Sequence, residues 1–221
     1  MTYQSLVKYL LFDLDGTLLD TAADLHAALN RALIDEGRTP VALERVRPWV
    51  SNGAPGMVRL ALEVAESDPM YQRVLDRMIE YYADALSVQT VLFDGMESVL
   101  EAIESRGLYW GIVTNKRSRF SVPLLKSLNL FDRAACLICG DSTPHKKPHP
   151  EPLLEACRRI GAQTAECLYI GDAEKDILAG RRAGMTTLVA GYGYLDAKDD
   201  VRTWGAHGIL QNPRDILQWM A

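Results

Sequence analysis

Leu10-Leu-Phe-Asp13-Leu-Asp15-Gly16-Thr17-Leu18 decides how the rest of this chain is read. Tyr9–Phe12 is a short apolar run of strand length, and it leads straight into two carboxylates one residue apart. Burying an ionised carboxylate at a strand end is costly unless a cation or hydrogen-bond donors compensate it. Two such acids together suggest a site built around a metal. Asp-Gly is also common turn chemistry, so the stretch alone reads as a surface turn as well. Its partners further along the chain decide between the two.

The chain has 221 residues, which suits one large domain or a core with a smaller insertion. Hydrophobic residues make up 48% and charged residues 24%, a balance that supports a packed core. A net charge of -5 argues against a nucleic-acid binder, which needs a basic face. It leaves an anionic small substrate open, because a few local cations hold a phosphate. Lys8 and the aspartates interrupt the first apolar run before it reaches the length of a signal-peptide core. No stretch approaches the roughly 18 consecutive apolar residues of a membrane span. A cytoplasmic location is the default expectation, with neither nucleic acid nor membrane as a partner. The four cysteines are Cys136, Cys139, Cys157 and Cys167. The first two have CxxC spacing but sit in Ala-Ala-Cys-Leu-Ile-Cys, which reads as a buried strand. They are expected to be reduced structural cysteines rather than a redox or zinc site.

After the first strand, Thr21-Ala-Ala-Asp24 resembles a capping box, with Leu25, Leu29, Ala32 and Leu33 at helical spacing behind it. A shorter piece covers 39–48, and a glycine-containing loop covers 49–56. Two more helices are expected over 57–65 and 70–86, and no strand is expected within 18–89. From Val91 the pattern alternates. Strands are expected over 108–113, 136–139, 167–170, 187–190 and 208–210. Helices are expected over 96–105, 120–128, 150–160, 174–183 and 213–220. Strands alternating with helices mean an α/β fold with a doubly wound parallel sheet, and the helical block after the first strand is an insertion. Such sheets place ligands at the carboxyl ends of their strands.

Three further polar clusters fall behind predicted strands: Thr114-Asn115-Lys116, Lys146-Lys147-Pro148-His149-Pro150, and Gly171-Asp172 with Asp176. A parallel sheet brings all of them to one edge. Asp13, Asp15 and Asp172 are hard oxygen ligands suited to Mg²⁺. Lys147 supplies a cation and Thr114 a hydroxyl, both fit for phosphoryl oxygens. Together they make a phosphoryl-transfer site. Lys146 competes with Lys147 for the cationic role, and the Lys-Pro-x-Pro context favours Lys147. Thr114 also reads as a helix N-cap and Asp176 as a first-turn acid. Lys116 is open as a solvated loop lysine or a substrate contact. His26 reads as a packing or surface residue.

These four segments, in this order and each behind the right element, resemble the haloacid dehalogenase superfamily over nearly the whole chain. The resemblance implies a helical cap over 18–89 and a core made of 1–17 and 90–221. It implies that Asp13 is the nucleophile, forming an aspartyl-phosphate. Asp15 would be the general acid and then the general base. Mg²⁺ would be held by Asp13, by the main-chain carbonyl of Asp15 and by Asp172. Asp176 would orient Lys147 or a metal-bound water. Thr114 and main-chain amides near it, such as that of Asn115, would grip the phosphate. Excluding water during the reaction calls for cap movement, with hinges expected near 18–20 and 89–93.

Within that superfamily a dehalogenase is disfavoured, because the second aspartate is present to protonate an oxygen leaving group. A phosphonoacetaldehyde hydrolase needs a cap lysine, and 18–89 contains none. The loop Arg47-Pro-Trp-Val-Ser-Asn52-Gly53-Ala54 is similar to the cap specificity loop of phosphoglycolate phosphatases. Asn52 and Gly53 become candidate substrate contacts, and Arg45, Arg47 and Arg59 candidate readers of a substrate carboxylate or solvated helix arginines. Val91-Leu-Phe-Asp-Gly-Met96, Gly191-Tyr-Gly-Tyr194 and Trp204-Gly-Ala206 resemble the branch that includes N-acetylmuramate 6-phosphate phosphatases. The expected activity is therefore Mg²⁺-dependent hydrolysis of a small phosphorylated metabolite, 2-phosphoglycolate or N-acetylmuramate 6-phosphate. A hexose-phosphate mutase and a catalytically silent phospho-ligand-binding module are the alternatives. Oligomeric state is not readable.

Overall fold

The computed structural model describes residues 7–220. Strand β1 (Tyr9–Phe12) leads through the Asp13–Leu18 turn to a two-residue strand β2 (Leu19–Asp20). Helices α1 (Ala22–Asp35), α2 (Leu43–Val46), α3 (Gly53–Leu62) and α4 (Pro69–Asp84) follow. The chain then runs β3 (Val91–Leu92), α5 (Met96–Ser105), β4 (Tyr109–Val113), α6 (Ser118–Ser127) and β5 (Leu137–Ile138). It continues α7 (Glu151–Ile160), β6 (Cys167–Gly171), α8 (Glu174–Arg182), β7 (Thr186–Ala190) and β8 (Gly208–Leu210), and ends in a 3₁₀ segment, Pro213–Trp219.

Six strands form one parallel sheet in the order β5-β4-β1-β6-β7-β8. β1 lies inside it, paired with β4 on one side and β6 on the other. Side chains alternate across a strand, so its apolar run serves both faces. Leu10 and Phe12 join the core under α5, α6 and the C-terminal segment, while Leu11 joins the core under α7 and α8. All three are fully buried, and burial of each such side chain contributes about 1.5–3 kcal/mol. The expected α/β class with a doubly wound parallel sheet and an inserted helical block is what the chain forms.

The four helices of the insertion have their own apolar cluster. α1 packs along α4, burying Leu25, Leu29 and Leu33 against Val74, Met78 and Tyr82. Three local expectations are corrected. Residues 18–89 do contain a strand, because β2 pairs antiparallel with β3 where the chain enters and leaves the insertion. Two residues are too few to show a period. Thr21 does not close a capping box: its hydroxyl donates to Asp15 Oδ1 at 2.6 Å, and it makes no cap bond to α1. Asp24 instead receives the main-chain N–H groups of Gln89 and Thr90 and the Thr90 hydroxyl, at 2.7–3.1 Å. The last expected helix, 213–220, is 3₁₀ rather than α. Other elements begin or end within a few residues of expectation, and the ends of the expected core, 1–6 and 221, lie outside the described residues.

All four cysteines are free and buried. No helix among the described residues is long and apolar enough to cross a membrane.

Candidate active site

Parallel strands deliver their following residues to one sheet edge, and three of the four polar clusters arrive there directly. Asp13 follows β1, Thr114 follows β4 and Asp172 follows β6. Lys147 comes from the loop after β5. The Asp13 N–H donates to Ile170 O at 2.9 Å, which extends the β1–β6 ladder by one bond and sets the acid at its end.

Lys147 is the buried centre of the site. Its Nζ lies 2.9 Å from Asp13 Oδ1 and 2.7 Å from Asp176 Oδ1. It also donates to Val113 O at 2.9 Å and to the Tyr169 hydroxyl at 2.8 Å. Burial alone disfavours a charged lysine, but the two carboxylates outweigh it and raise its pKa, so the ammonium stays charged. Lys146 is exposed, at the rim. Asn115 brackets the Lys147 main chain, accepting from its N–H and donating to its carbonyl, both at 3.0 Å. A substrate role for Asn115 therefore rests on its main-chain amide, since the side chain is committed.

Asp13, Asp172 and Asp176 each present a carboxylate oxygen within 4.8 Å of the others, and all three are buried. Asp172 accepts from Thr17 Oγ1 at 3.3 Å, from Ser51 Oγ at 2.7 Å and from the Tyr194 N–H at 3.0 Å. Burial, then the charges of Asp176 and Asp13, push its carboxyl up to about 7. Asp176 makes two contacts with its carboxylate. One oxygen binds Lys147, and the other accepts the Ala173 N–H at the start of α8, at 3.1 Å. Gly16 closes the turn with φ +84°, and a Cβ there would run into the Asp172 carboxylate.

The Asp15 carboxylate stands apart from this cluster. It is held by Thr21 Oγ1 and by Lys116 Nζ, 2.8 Å away. Lys116 is no solvated loop lysine: its side chain is 8% exposed and sits over the Tyr82 ring of α4, 4.6 Å from the centroid. The Thr114 hydroxyl accepts the Lys116 N–H at 3.2 Å.

These residues open into a cavity of about 480 Å³ between the sheet edge and the insertion. Its floor has Asp13, Asp15 and Thr114, and its far wall has Leu75, Met78, Ile79 and Tyr82 of α4. Asn52 and Gly53 line it, as does their neighbour Ser51. Lys175 reaches from α8 to the main-chain carbonyl of Ser51. Arg45, Arg47 and Arg59 do not line it. They pair with Glu63, Asp20 and Glu66 respectively, so the candidate carboxylate readers are already neutralised. The cavity's cations are Lys116, Arg117, Arg119, Lys146 and Lys175. His26 bonds Val41 O and Asn30, away from the site.

Sequence reasoning missed Ser51, Tyr169 and the depth of Lys116. Tyr169 carried one signal, a hydroxyl in the middle of an apolar strand, which needs a buried partner. Ser51 carried none beyond its place in the loop.

Residues 10–190 match the family model of haloacid dehalogenase-like hydrolases. The chain belongs to that family. It is 41% identical over 215 residues to an N-acetylmuramic acid 6-phosphate phosphatase of Pseudomonas aeruginosa, covering 96% of this chain and 93% of that protein. It is 42% identical over 214 residues to a phosphoglycolate phosphatase of Xanthomonas campestris pv. campestris, covering 96% and 95%. Among solved structures, a "predicted phosphoglycolate phosphatase" from Haemophilus somnus superposes with a TM-score of 0.86 at 28% identity, covering 99% of this chain and 98% of that one.

Proposed function

We propose that this protein is a Mg²⁺-dependent phosphatase that hydrolyses a small phosphate monoester, 2-phosphoglycolate or N-acetylmuramate 6-phosphate, through an aspartyl-phosphate. The observation that carries the reading is the Asp13–Lys147–Asp176 chain, of which Asp13 lines a cavity that Asp15 also reaches while Lys147 and Asp176 lie buried behind it. Lys147, 2.9 Å from Asp13 Oδ1, holds that carboxylate in a fixed orientation, as a nucleophile requires. An Asp13 oxygen bonds to phosphorus as the bond to the leaving oxygen breaks, and Asp15 gives that oxygen a proton. Asp15 then takes a proton from water, whose oxygen displaces Asp13 from phosphorus and releases phosphate. Thr114, the Asn115 amide and Lys147 bind the phosphoryl oxygens.

The donor set fits a divalent cation. Three buried carboxylates face a single buried ammonium, and the Asp172 carboxyl is pushed up by its burial and then by the charges of Asp176 and Asp13. Asp13, Asp172 and the Asp15 main-chain carbonyl would hold Mg²⁺, with Asp176 behind them orienting Lys147. The bound ion would neutralise the phosphate dianion beside Asp13. Residues 18–89 act as the cap, with Asn52 and Gly53 against the substrate and the β2–β3 ribbon as the hinge. The cavity volume is within the ~300–1,000 Å³ of sites that bury larger ligands, which favours the bulkier sugar acid over the two-carbon acid.

The test is phosphate release with Mg²⁺ from 2-phosphoglycolate, N-acetylmuramate 6-phosphate and hexose phosphates, ranked by kcat/KM, with Asp13→Asn as the control. A carboxylated substrate is expected to lead. Isomerised sugar phosphate in place of free phosphate would identify a mutase, and no turnover of any ester would leave only a binding module.

A further inference from the structure

Tyr82, on α4, carries the one buried side-chain polar atom that has no hydrogen-bond partner among the described residues. The residue is 4% exposed, lines the cavity, and packs on Phe120 with ring centroids 5.7 Å apart. A hydroxyl buried without a partner costs free energy in the unliganded chain, and such groups recur where a ligand completes them. Burial raises the phenol's pKa, so it stays a protonated donor.

The charged groups around it are Lys116, Asp15 and Asp24. Both acids are committed elsewhere: Asp24 to Gln89 and Thr90, Asp15 to Lys116 and Thr21. Lys116 has three N–H donors, and its one hydrogen bond among the described residues is to Asp15 Oδ1. A neutral donor from the insertion and a cationic donor from the loop after β4 thus stand side by side, both short of an acceptor. Both line the cavity that holds Asp13 and Thr114. The same cavity carries Arg117, Arg119 and Lys146, none of which has an ion-pair partner among the described residues. A phosphate alone does not use this many donors.

We propose that the Tyr82 hydroxyl and the Lys116 ammonium form a subsite for a carboxylate on the leaving group, so that the enzyme selects phosphorylated acids over otherwise matched neutral esters. The subsite rests on the phosphatase reading above and names what decides its substrate. The carboxylate accepts one hydrogen bond from each group, and Leu75, Met78, Ile79 and Phe120 receive the apolar part of the leaving group. Because Tyr82 lies on the insertion and Lys116 on the sheet edge, the carboxylate also joins the two.

The experiment uses two matched pairs, 2-phosphoglycolate with ethyl phosphate, and N-acetylmuramate 6-phosphate with N-acetylglucosamine 6-phosphate. Within each pair the carboxylate-bearing group is the difference. The wild type is expected to prefer the acid in at least one pair, in kcat/KM. Tyr82→Phe and Lys116→Met are each expected to shrink that preference about ten-fold, the scale of one lost hydrogen bond to a charged group. Tyr82→Phe is also expected to raise the Tm of the ligand-free protein, since it deletes an unpaired buried hydroxyl. Equal losses on both members of the preferred pair, or a lowered Tm with the preference intact, would overturn the subsite. Phosphate release by the wild type without any acid preference sinks the subsite and leaves the phosphatase reading standing. No release from any of the four esters or from phenyl phosphate sinks both.

Discussion

Ser51 Oγ donates to Asp172 Oδ2 at 2.7 Å, and this bond joins the turn before α3 to the acid cluster at the end of β6. It is one of the forces that keep the Asp172 carboxyl from rising further, so it acts on the ionised form. Ser51→Ala should weaken Mg²⁺ binding near pH 6.5, where Asp172 is part-protonated. The Mg²⁺ concentration for half-maximal activity should rise by about 3- to 10-fold, for a hydrogen bond worth about 0.5–1.5 kcal/mol. The difference should shrink above pH 8, where the carboxyl is ionised in both forms.

Asp172 also carries a stability signature. Its carboxyl titrates in the ordinary range near 4 when unfolded and at about 7 in the folded, metal-free chain. Between those values the native state binds the extra proton, so its contribution to stability falls as pH rises from about 4 to about 7. Asp172→Asn removes the charge and keeps an acceptor for Ser51. In EDTA at pH 7.5 it should have a higher Tm than the wild type, while losing activity and losing any Tm gain from added Mg²⁺. A lower Tm in EDTA would show that the acid cluster is not strained.

Lys147 compensates two buried carboxylates at once. Lys147→Met should abolish turnover and lower the unfolding free energy by about 3–5 kcal/mol, the usual cost of leaving a buried charge without its partner. Urea denaturation checks it. A loss below about 1 kcal/mol would mean that solvent reaches the pair, since exposed ion pairs contribute that little.

Asp24 fastens the exit of the insertion to its first helix. Asp24→Ala strands the main-chain N–H groups of Gln89 and Thr90 and leaves the Thr90 hydroxyl only its 3.5 Å contact to Leu86 O, and should cost about 2–4 kcal/mol. Proteolysis should speed up near 85–92 before it does elsewhere. Unchanged cleavage there would show that β2–β3 pairing alone holds the ribbon.

The legible part of this protein was what local pattern reports. The apolar run into Asp13 and Asp15, the alternation after Val91, and polar clusters placed behind strands were enough for the parallel sheet and for one edge holding Asp13, Thr114, Lys147 and Asp172. Strand and helix periods act within a few residues, and parallel pairing turns strand order into spatial convergence. Two-residue strands such as β2 fell below that signal.

The tertiary structure decided what each polar side chain meets. Lys116 and Asp15 are 101 residues apart, and Ser51 and Asp172 121. No local pattern encodes either contact. Whether Lys116 is solvated or buried on Tyr82, whether Arg47 reads a ligand or neutralises Asp20, and whether Asp24 caps α1 or clamps Thr90 depended on how the insertion sits over the sheet edge. Residue type made all of these outcomes available, and burial, which fixes the cost of an unpaired polar group, selected among them.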